Sequence, residues 1–281
     1  MATVTTEIRR VQANGIDFAY LEAGPQDGPL ALCLHGFPDH AKTWRHLLPA
    51  LVPQVDETLV IGNVPGSVDV SVPEGVRVLE NRRPLSLAAN VNVGIAATAG
   101  EYVVAVNPDA VPEPGAVTTL VAFADAHARC GIAGPQLRWP DGTWQPSRRA
   151  FPTVRGTVVR RTPLRRLRPP YATQREHYGL DERPAEPVPA DWLLGAFLLM
   201  RRAMLEELGG WDAGFRHYCE DIDLCYRAML AGWERWYVPA AVVVHDYAAV
   251  IDHSFLSRHT LWHLRGMTRF VRKHPERLLA L

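Results

Sequence analysis

The sequence predicts an α/β protein built on one mixed, mainly parallel sheet, with an extra β-hairpin at the N-terminus. The chain has 281 residues, 47% of them hydrophobic, which is enough to bury one core. Short apolar runs at 30–34, 58–61, 76–79 and 102–106 alternate with helix-like segments, as they do in parallel βαβ units. Asn14-Gly15 lies between two runs of alternating polarity, a pattern that favours a hairpin.

The remaining elements follow from the same hydrophobic periodicities. Helices are predicted at 40–51, 87–98, 114–128, 202–208 and 220–231, and strands at 131–137, 197–200 and 236–244. Residues 138–190 are rich in proline and arginine, and we expect a long loop or insert there rather than a second domain. Long ordered loops in compact domains are usually functional.

Composition argues against several classes of protein. Lysine plus arginine and aspartate plus glutamate both number 30, so no overall field favours nucleic acid as a partner. Cys33, Cys130, Cys219 and Cys225 form no C-x-x-C pair, which predicts reduced thiols rather than a zinc site. The N-terminus lacks an apolar signal region, and the longest apolar stretch, 192–200, is too short to cross a bilayer. We expect a cytoplasmic protein, soluble or peripheral at the inner face of the plasma membrane.

An ordered series of motifs runs through residues 55–281. It comprises Val78-Leu79-Glu80-Asn81, Asn92-Val93-Gly94-Ile95, Asn107-Pro108-Asp109, Gly134-Pro135, Gln145-Pro146-Ser147, Asp191-Trp192, Gly195-Ala196-Phe197, Gly209-Gly210-Trp211-Asp212, an E-D-x-D-L-x-Y-R run from Glu220, and Val242-Val243-Val244-His245. In this order the motifs resemble the family-2 glycosyltransferases with the GT-A fold, especially their bacterial rhamnosyltransferase-like branch. The resemblance implies a Rossmann-like nucleotide-diphospho-sugar transferase domain over 55–281. It also implies a metal-assisted, inverting hexosyltransferase of cell wall polysaccharide biosynthesis, which moves a sugar from a dTDP- or UDP-sugar to a glycan or lipid-linked acceptor.

Residues 1–54 carry a second resemblance. The hairpin, the run Leu32-Cys33-Leu34-His35-Gly36-Phe37-Pro38-Asp39 and the helix 40–51 with Trp44 are similar to the start of α/β-hydrolases of the epoxide-hydrolase or dehalogenase type. Those enzymes need a nucleophile on a strand-to-helix elbow. The one formal match, Gly210-Trp211-Asp212-Ala213-Gly214, follows a predicted helix instead of a strand. We hypothesise that strand 30–34 and helix 40–51 replace the first βα unit of the transferase sheet.

The resemblance places Asn107-Pro108-Asp109 at the family's D-x-D position, directly after the strand 102–106. A carboxylate there can hold a divalent cation, Mg²⁺ or Mn²⁺, which neutralises the leaving diphosphate. His245, at the end of strand 236–244, aligns with a histidine that completes the metal site in relatives. Two plainer interpretations stay open, namely a simple turn at Asn-Pro-Asp and a structural histidine.

Glu220-Asp221 opens the helix 220–231. A helix N-terminus stabilises an ionised carboxylate, and inverting transfer needs a base that takes the proton of the acceptor hydroxyl. The resemblance puts this pair at the family's catalytic position, with Asp221 as the first choice for the base, while ordinary helix capping is the alternative. Trp192 and Gly195 match the acceptor-side segment, with packing roles as their alternative.

By resemblance, Asn63, Asn81, Asn92, Asn107 and Asp109 bind the nucleotide-sugar. On the predicted nucleotide-binding side, three segments differ from the family pattern. They are Ile61-Gly62-Asn63, Pro84-Leu85-Ser86-Leu87 and His35-Gly36-Phe37-Pro38. The first departure replaces an aspartate that binds the nucleoside. An alternative function therefore stays open, a catalytically impaired fusion relic with a GT-A-like fold. A hydrolase without its nucleophile is less favoured.

A basic amphipathic helix is predicted near the C-terminus, over 255–273. Arg258, Arg265, Arg269 and Arg272 share one face, and Leu264, Met267, Phe270 and Val271 lie opposite. Such a helix can lie on an anionic membrane, where lipid-linked acceptors are found. More often the apolar stripe packs on its own domain, and we expect that packing, with peripheral membrane contact as the alternative.

Overall fold

The computed structural model describes residues 9–13, 16–20, 30–34, 44–66, 68, 72–73, 75–152, 183–246 and 258–278. Its strands are β1 (Arg9–Ala13), β2 (Ile16–Tyr20), β3 (Leu30–Leu34), β4 (Glu57–Gly62), β5 (Val76–Glu80), β6 (Tyr102–Val106), β7 (Ala110–Pro112), β8 (Cys130–Arg138), β9 (Trp144–Gln145), β10 (Arg148–Arg149), β11 (Val188–Pro189), β12 (Trp192–Leu193), β13 (Phe197–Arg201) and β14 (Glu234–His245). Its α-helices are α1 (Trp44–Leu51), α2 (Leu87–Ala96), α3 (Ala116–Ala126), α4 (Arg202–Leu208), α5 (Glu220–Leu230) and α6 (Arg258–Lys273). Short 3-10 helices span Val52–Gln54 and Pro275–Leu278. Asn14-Gly15 and the loop 35–38 lie outside the described residues.

Within the described residues, one 10-stranded sheet forms the centre of the protein. Its strands follow one another in the order β11, β14, β8, β13, β6, β3, β4 and β5, with β7 on β14 and β9 on β8. β3 is parallel to both β4 and β6, β4 is parallel to β5, and β14 is parallel to β8. β13 runs antiparallel between β6 and β8. The sheet is therefore mixed and mainly parallel, as the sequence predicts, and β1 pairs with β2 as a separate hairpin.

Helices cover both faces of this sheet. Successive residues of β6 alternate between two hydrophobic clusters, because strand side chains point to opposite faces in turn. Val103 and Ala105 belong to the cluster that takes residues from α2, α4, α5 and α6. Val104 and Val106 belong to the cluster that takes residues from α1 and α3. The core is thus divided into two layers by the sheet.

Strand direction brings the candidate residues to one edge of the sheet. β4, β5 and β6 are parallel, so Asn63, Asn81 and Asp109, which follow them, lie beyond the same edge. His245, the last residue of β14, shares this edge because β14 and β8 run in the direction of β6. β13 runs the other way, so Gly195 just before it also lies there. In open α/β sheets, ligands bind beyond the carboxyl ends of the parallel strands.

Charged side chains attach α6 to the rest of the domain. Asp223 in α5 is fully buried and accepts hydrogen bonds from Lys273 Nζ and His274 Nε2, each at 2.9 Å. Asp212 accepts from Arg269 Nη2 at 2.9 Å and from Lys273 Nζ at 2.9 Å. Burial raises the pKa of Asp212, but these hydrogen bonds lower it more, so its net pKa is well below the ordinary range. The network holds the C-terminal end of α6 in place.

The buried and exposed sides of α6 differ in part from the apolar and basic faces that the sequence predicts. Met267 and Phe270 are buried against the domain, as expected. Leu264 is 41% exposed, so the expectation that it lies with them is wrong. Gly266 packs against the domain, and Leu264 points away because two residues correspond to about 200° around a helix. Arg269, which was grouped with Arg258, Arg265 and Arg272 on one basic face, forms an ion pair with Asp212.

Two sequence-based expectations concern the loop 138–190 and the lack of a membrane-spanning segment. The segment 138–190 contains the short strands β9, β10 and β11, so it is not wholly irregular, and its residues 153–182 lie outside the described part. No helix in the described ranges combines the length and the apolar character needed to cross a membrane.

Replacement of Phe270 by alanine tests the docked face of α6. Because Phe270 is fully buried, Phe270→Ala should lower the free energy of unfolding by about 3–5 kcal/mol. Leu261→Ala removes a side chain that is 48% exposed on the same helix, and its effect should stay within about 0.5 kcal/mol. Urea denaturation followed by circular dichroism measures both. Similar losses in the two variants would contradict this orientation of the helix.

Candidate functional site

Asp109 and His245 face each other at the carboxyl edge of the sheet. Asp109 lies in the turn between β6 and β7, and its carbonyl oxygen accepts a hydrogen bond from the N–H of Asp246 at 2.9 Å. Ala110 pairs with His245 where β7 meets β14. These backbone contacts place His245 Nε2 3.4 Å from Asp109 Oδ1. The structure therefore brings together two residues that the sequence suggested for one metal.

The protonation of His245 follows from its other ring nitrogen. Nδ1 lies 2.7 Å from Gln145 Oε1, and an amide oxygen can only accept, so Nδ1 carries a proton and Nε2 is the nitrogen that faces Asp109. Asp109 Oδ1 is buried and accepts no hydrogen bond within the described residues. When the imidazole of His245 is neutral, its Nε2 lone pair and Asp109 Oδ1 face one another, an arrangement that suits a cation. No group of three His, Cys, Asp or Glu side chains suited to a metal occurs in the described ranges.

The helix α5 starts from a strained turn. Tyr218 and Cys219 have φ angles of 73° and 72°, a left-handed conformation that costs about 1–3 kcal/mol for each residue other than glycine. This turn directs Glu220 inward, where it is only 5% exposed. Glu220 Oε2 accepts no hydrogen bond within the described residues, and His217 Nδ1 lies 4.0 Å from Glu220 Oε1.

Asp221 is held by backbone N–H groups. Its Oδ2 accepts from Gly195 at 3.0 Å, and its Oδ1 accepts from Ile222 at 2.9 Å. A Cβ atom on Gly195 would lie 3.3 Å from both Cβ and Oδ2 of Asp221, tighter than ordinary contact. The close approach therefore favours glycine at position 195 and joins this predicted acceptor-side residue to the candidate base.

The two carboxyl groups have shifted proton affinities. Burial, and then the charge of Asp221, raise the pKa of Glu220 well above its ordinary value. Burial also raises the pKa of Asp221, while the N–H groups of Gly195 and Ile222 and the charge of Arg149 oppose the shift. Because Asp221 has the better compensated charge, we infer that Asp221 ionises first and that Glu220 retains a proton.

The two acidic sites are linked by a short run of backbone. The N–H of Asn107, two residues before Asp109, donates to the carbonyl oxygen of Ala196 at 2.8 Å. The neighbouring Gly195 donates to Asp221. Residues 195–196 therefore contact both the segment that carries the candidate metal ligand and the residue that is the candidate base. These two backbone contacts were not predicted from the sequence.

Trp192 lies in β12, which packs on α5, and it is itself part of the core. It is 4% exposed, and its Nε1 donates to the carbonyl oxygen of Ala150 at 2.8 Å. The guanidinium of Arg149 lies over its ring at 5.0 Å and also acts on the charge of Asp221. Sequence reasoning missed Arg149, although it follows the motif Gln145-Pro146-Ser147 by two residues.

The asparagines on the predicted nucleotide side contact one another or other parts of the chain. Asn63 Oδ1 accepts from Asn81 Nδ2 at 3.1 Å, and Asn81 Nδ2 also donates to Asn90 Oδ1 at 2.7 Å. Asn92 lies apart from this group. Its amide donates to the carbonyl oxygen of Trp211 at 2.7 Å and accepts from the Trp211 N–H at 2.8 Å. Binding of the nucleotide-sugar by Asn63, Asn81, Asn92, Asn107 and Asp109 stays a prediction.

The helix α6 packs directly on the strained turn. A Cβ atom on Gly266 would lie 2.6 Å from the carbonyl oxygen of Tyr218 and 3.1 Å from Cys219 Sγ. No side chain larger than that of glycine fits at this point without movement of the turn. The position of the candidate pair Glu220 and Asp221 thus depends on a residue about forty-five positions further along the chain.

The fold is that of the GT-A glycosyltransferases, as the comparison with a solved structure shows. A structure of GalNAc-T7 with UDP, GalNAc and Mn²⁺ superposes with a TM-score of 0.60 at 15% identity, covering 87% of this chain and 48% of that one. At this identity the match establishes the fold alone. The chain belongs to the glycosyltransferase like family 2, whose sequence model matches residues 50–265.

The chain is also similar in sequence to a rhamnosyltransferase. The chain is 34% identical over 201 residues to the N-acetylglucosaminyl-diphospho-decaprenol L-rhamnosyltransferase of Mycobacterium tuberculosis (strain CDC 1551 / Oshkosh). The alignment covers 65% of this chain and 64% of that protein. The chain thus corresponds to less than two thirds of this relative's length. Within the family, the similarity agrees with the rhamnosyltransferase-like branch that the motifs indicated.

The N-terminal segment has a separate similarity. The chain is 44% identical over 50 residues to the haloalkane dehalogenase of Bradyrhizobium diazoefficiens (strain JCM 10833 / BCRC 13528 / IAM 13628 / NBRC 14792 / USDA 110), which is 18% of this chain and 16% of that protein. So short a match does not establish a hydrolase segment, and the division into 1–54 and 55–281 stays a prediction. Asp212, the residue at the nucleophile position of the formal elbow match, is bound by Arg269 and Lys273.

Gly266→Ala tests the contact between α6 and the strained turn. In an exposed helix this change is stabilising by about 1 kcal/mol, but here the new Cβ would lie 2.6 Å from Tyr218 O. We expect the melting temperature to fall instead of rise. Thr268→Ala, at an exposed position of the same helix, serves as the control and should leave the melting temperature nearly unchanged. A higher melting temperature for Gly266→Ala would show that the contact is absent.

Proposed function

We propose that the protein transfers a hexose, with inversion, from a nucleotide-diphospho donor to a sugar carried on a lipid diphosphate. The observation that carries the proposal is the backbone link through residues 195–196, which ties Asp109 to Asp221. One acidic site can face the leaving diphosphate while the other faces the acceptor hydroxyl. The relative's name specifies L-rhamnose and a decaprenol-diphosphate acceptor, and we propose a donor and an acceptor of the same classes, with dTDP-rhamnose as the first donor to test.

Asp109 and His245 fit a hard divalent cation, Mg²⁺ or Mn²⁺. Asp109 offers a buried carboxylate oxygen, and the hydrogen bond from His245 Nδ1 to Gln145 leaves Nε2 able to coordinate. These residues would supply two ligands, and such cations often take the others from substrate phosphates and water. When bound, the cation would stabilise negative charge on the leaving diphosphate. GalNAc-T7, which shares the fold, was solved with Mn²⁺.

Asp221 acts on the acceptor in this proposal. Gly195 and Ile222 hold its carboxylate in one orientation, so that an oxygen can accept the proton of the acceptor hydroxyl. The acceptor oxygen then forms its bond to the anomeric carbon as the bond from that carbon to the diphosphate oxygen breaks. A single displacement inverts the anomeric centre. Glu220, with its proton retained, avoids a second negative charge beside Asp221.

A second candidate function is a catalytically impaired domain, and the asparagine contacts favour it. Asn63 Oδ1 accepts from both Asn81 and the N–H of Leu85, and its Nδ2 donates to Leu85 O. Its oxygen already has two donors, so it is poorly placed to accept a hydrogen bond from a nucleobase. The first function requires that other groups bind the base; the second requires that the nucleotide binds weakly or not at all.

Calorimetric titration with UDP- and dTDP-sugars, in the presence of Mn²⁺ or Mg²⁺, separates the two functions. We expect one donor to bind in a metal-dependent manner and Asp109→Ala to abolish that dependence. Asp221→Asn should keep the donor affinity while the rate of transfer falls by about 10²–10⁴-fold, the usual contribution of a general base. Asp125→Ala serves as the matched control, because Asp125 is exposed near the end of α3. If the unaltered protein binds none of these nucleotides, the impaired domain is the correct function.

The pH dependence of transfer tests the roles within the pair. Asp221 must be ionised to act, so kcat/KM should fall as the pH drops through its raised pKa. Because Glu220 keeps its proton while Asp221 titrates, Glu220→Gln exchanges one neutral side chain for another, and the acidic limb should stay at the same pH. Because the folded protein binds the Glu220 proton more tightly than the unfolded chain, Glu220 also makes stability decrease as the pH rises above 4.5, and the variant should lose this dependence. Loss of transfer at every pH in Glu220→Gln would instead identify Glu220 as the base.

A further inference from the structure

The helix α6 presents a second face that the domain does not cover. Leu261 is 48% exposed and Leu264 is 41% exposed, and Arg265, Thr268 and Arg272 are exposed as well. Positions separated by three, four, seven and eleven residues lie on one side of a helix. We name these five residues the outer face of α6. The opposite side packs through Gly266, Met267 and Phe270.

Apolar exposure is concentrated on this outer face. Among the described residues, the large hydrophobic side chains that are exposed are Val64, Leu230, Leu261 and Leu264. Two of these four lie within one turn of α6, whereas Val64 and Leu230 belong to other segments. Single exposed leucines need no explanation, but Leu261 and Leu264 lie one turn apart and form a small apolar patch on this side of the helix.

The charge of α6 is equally one-sided. Its sixteen residues include four arginines and one lysine and no acid, although positive and negative residues balance over the whole chain. Arg269 and Lys273 are neutralised by Asp212 and Asp223. Arg265 and Arg272 form no ion pair with any residue in the described ranges, and they lie on the same side of the helix as the two leucines, towards its C-terminus. The outer face therefore combines apolar and cationic groups without a negative one.

We propose that the outer face of α6 is a docking surface for an anionic lipid bilayer. Leucine side chains enter the boundary between headgroups and acyl chains, and arginines bind lipid phosphates. A second copy of the chain fits less well, since a twofold contact would bring Arg265 and Arg272 against the same arginines. Nucleic acid would satisfy the arginines but would leave Leu261 and Leu264 without apolar partners.

The position of α6 connects this surface to the site. The packed side of α6 touches Tyr218 and Cys219 through Gly266, and the next two residues are Glu220 and Asp221. A bilayer on the outer face would therefore lie about one helix diameter, roughly 10 Å, from the turn that carries the catalytic pair. A lipid-linked acceptor reaches the site from that direction. This reason rests on the proposed function, but the docking itself can be measured without donor or acceptor.

Vesicle sedimentation tests the proposal on the full chain. Vesicles of phosphatidylcholine alone are compared with vesicles that also contain phosphatidylglycerol, at low and high salt. We expect binding to the anionic vesicles only, and weaker binding at high salt. The double variant Arg265→Glu/Arg272→Glu should weaken it about tenfold or more. Leu261→Gln/Leu264→Gln should also weaken it, while the remaining binding keeps its dependence on salt.

Matched controls exclude general effects of charge and apolarity. Arg82→Glu/Arg83→Glu makes the same change in net charge at two exposed arginines outside α6, and Leu230→Gln alters a leucine that is 61% exposed at the end of α5. Both control variants should bind vesicles like the unaltered protein. Circular dichroism and melting temperature verify that every variant is folded.

Several outcomes would overturn the docking surface. The first is equal binding to neutral and anionic vesicles, and the second is equal loss in the control variants. A third is a dimer in light scattering that Leu261→Gln/Leu264→Gln dissociates, without vesicle binding, since a second copy would then cover the face. If vesicles do not bind but the donor does, and transfer to a soluble acceptor proceeds, the docking proposal is wrong and the proposed function stands. If vesicles bind but no donor does, the proposed function is wrong.

Discussion

The common direction of six strands is the constraint on which the site depends. Because β3 to β6, β8 and β14 run the same way, segments far apart in sequence end at the same edge. The antiparallel β13 places Gly195 there too, and its N–H reaches Asp221. Reversal of any one of these strands would move its terminal residue to the opposite edge of the sheet. The direction of the strands therefore decides which side chains meet at this edge.

Much of this topology is present in the sequence as local signals. Apolar runs and helical periodicity gave most elements within two residues of their observed ends, because buried strands and amphipathic helices need only local patterns. The motif order located Asp109, His245 and the Glu220-Asp221 pair at element ends. The sheet order places β3 between β4 and β6, and no pattern within residues 30–34 specifies those neighbours. The pairing partners of a strand are decided by the rest of the fold.

What the sequence could not provide depends on contacts between distant residues. Gln145 fixes the tautomer of His245 from 100 positions away, and Arg149 acts on Asp221 from a neighbouring strand. The exposure of Leu264 was not predicted, because the spacing of apolar residues in α6 defines the side that packs on the domain only to within a fraction of a turn. Gly266 and the anchors Lys273 and His274 decide it. These interactions form only in the folded chain, and the sequence around either partner alone does not indicate them.

The left-handed turn at Tyr218 and Cys219 has a consequence for the order of assembly. Two such residues favour relaxation to ordinary backbone conformations, and α6 is what packs against their turn. Protein synthesis proceeds from the N-terminus, so every strand of the sheet leaves the ribosome before residues 258–278 do. A nascent chain can thus form its sheet and α5 while the turn is still unrestrained. Because α6 packs on this turn, the positions of Glu220 and Asp221 described above require the docked helix, so this part of the candidate site is completed late in synthesis.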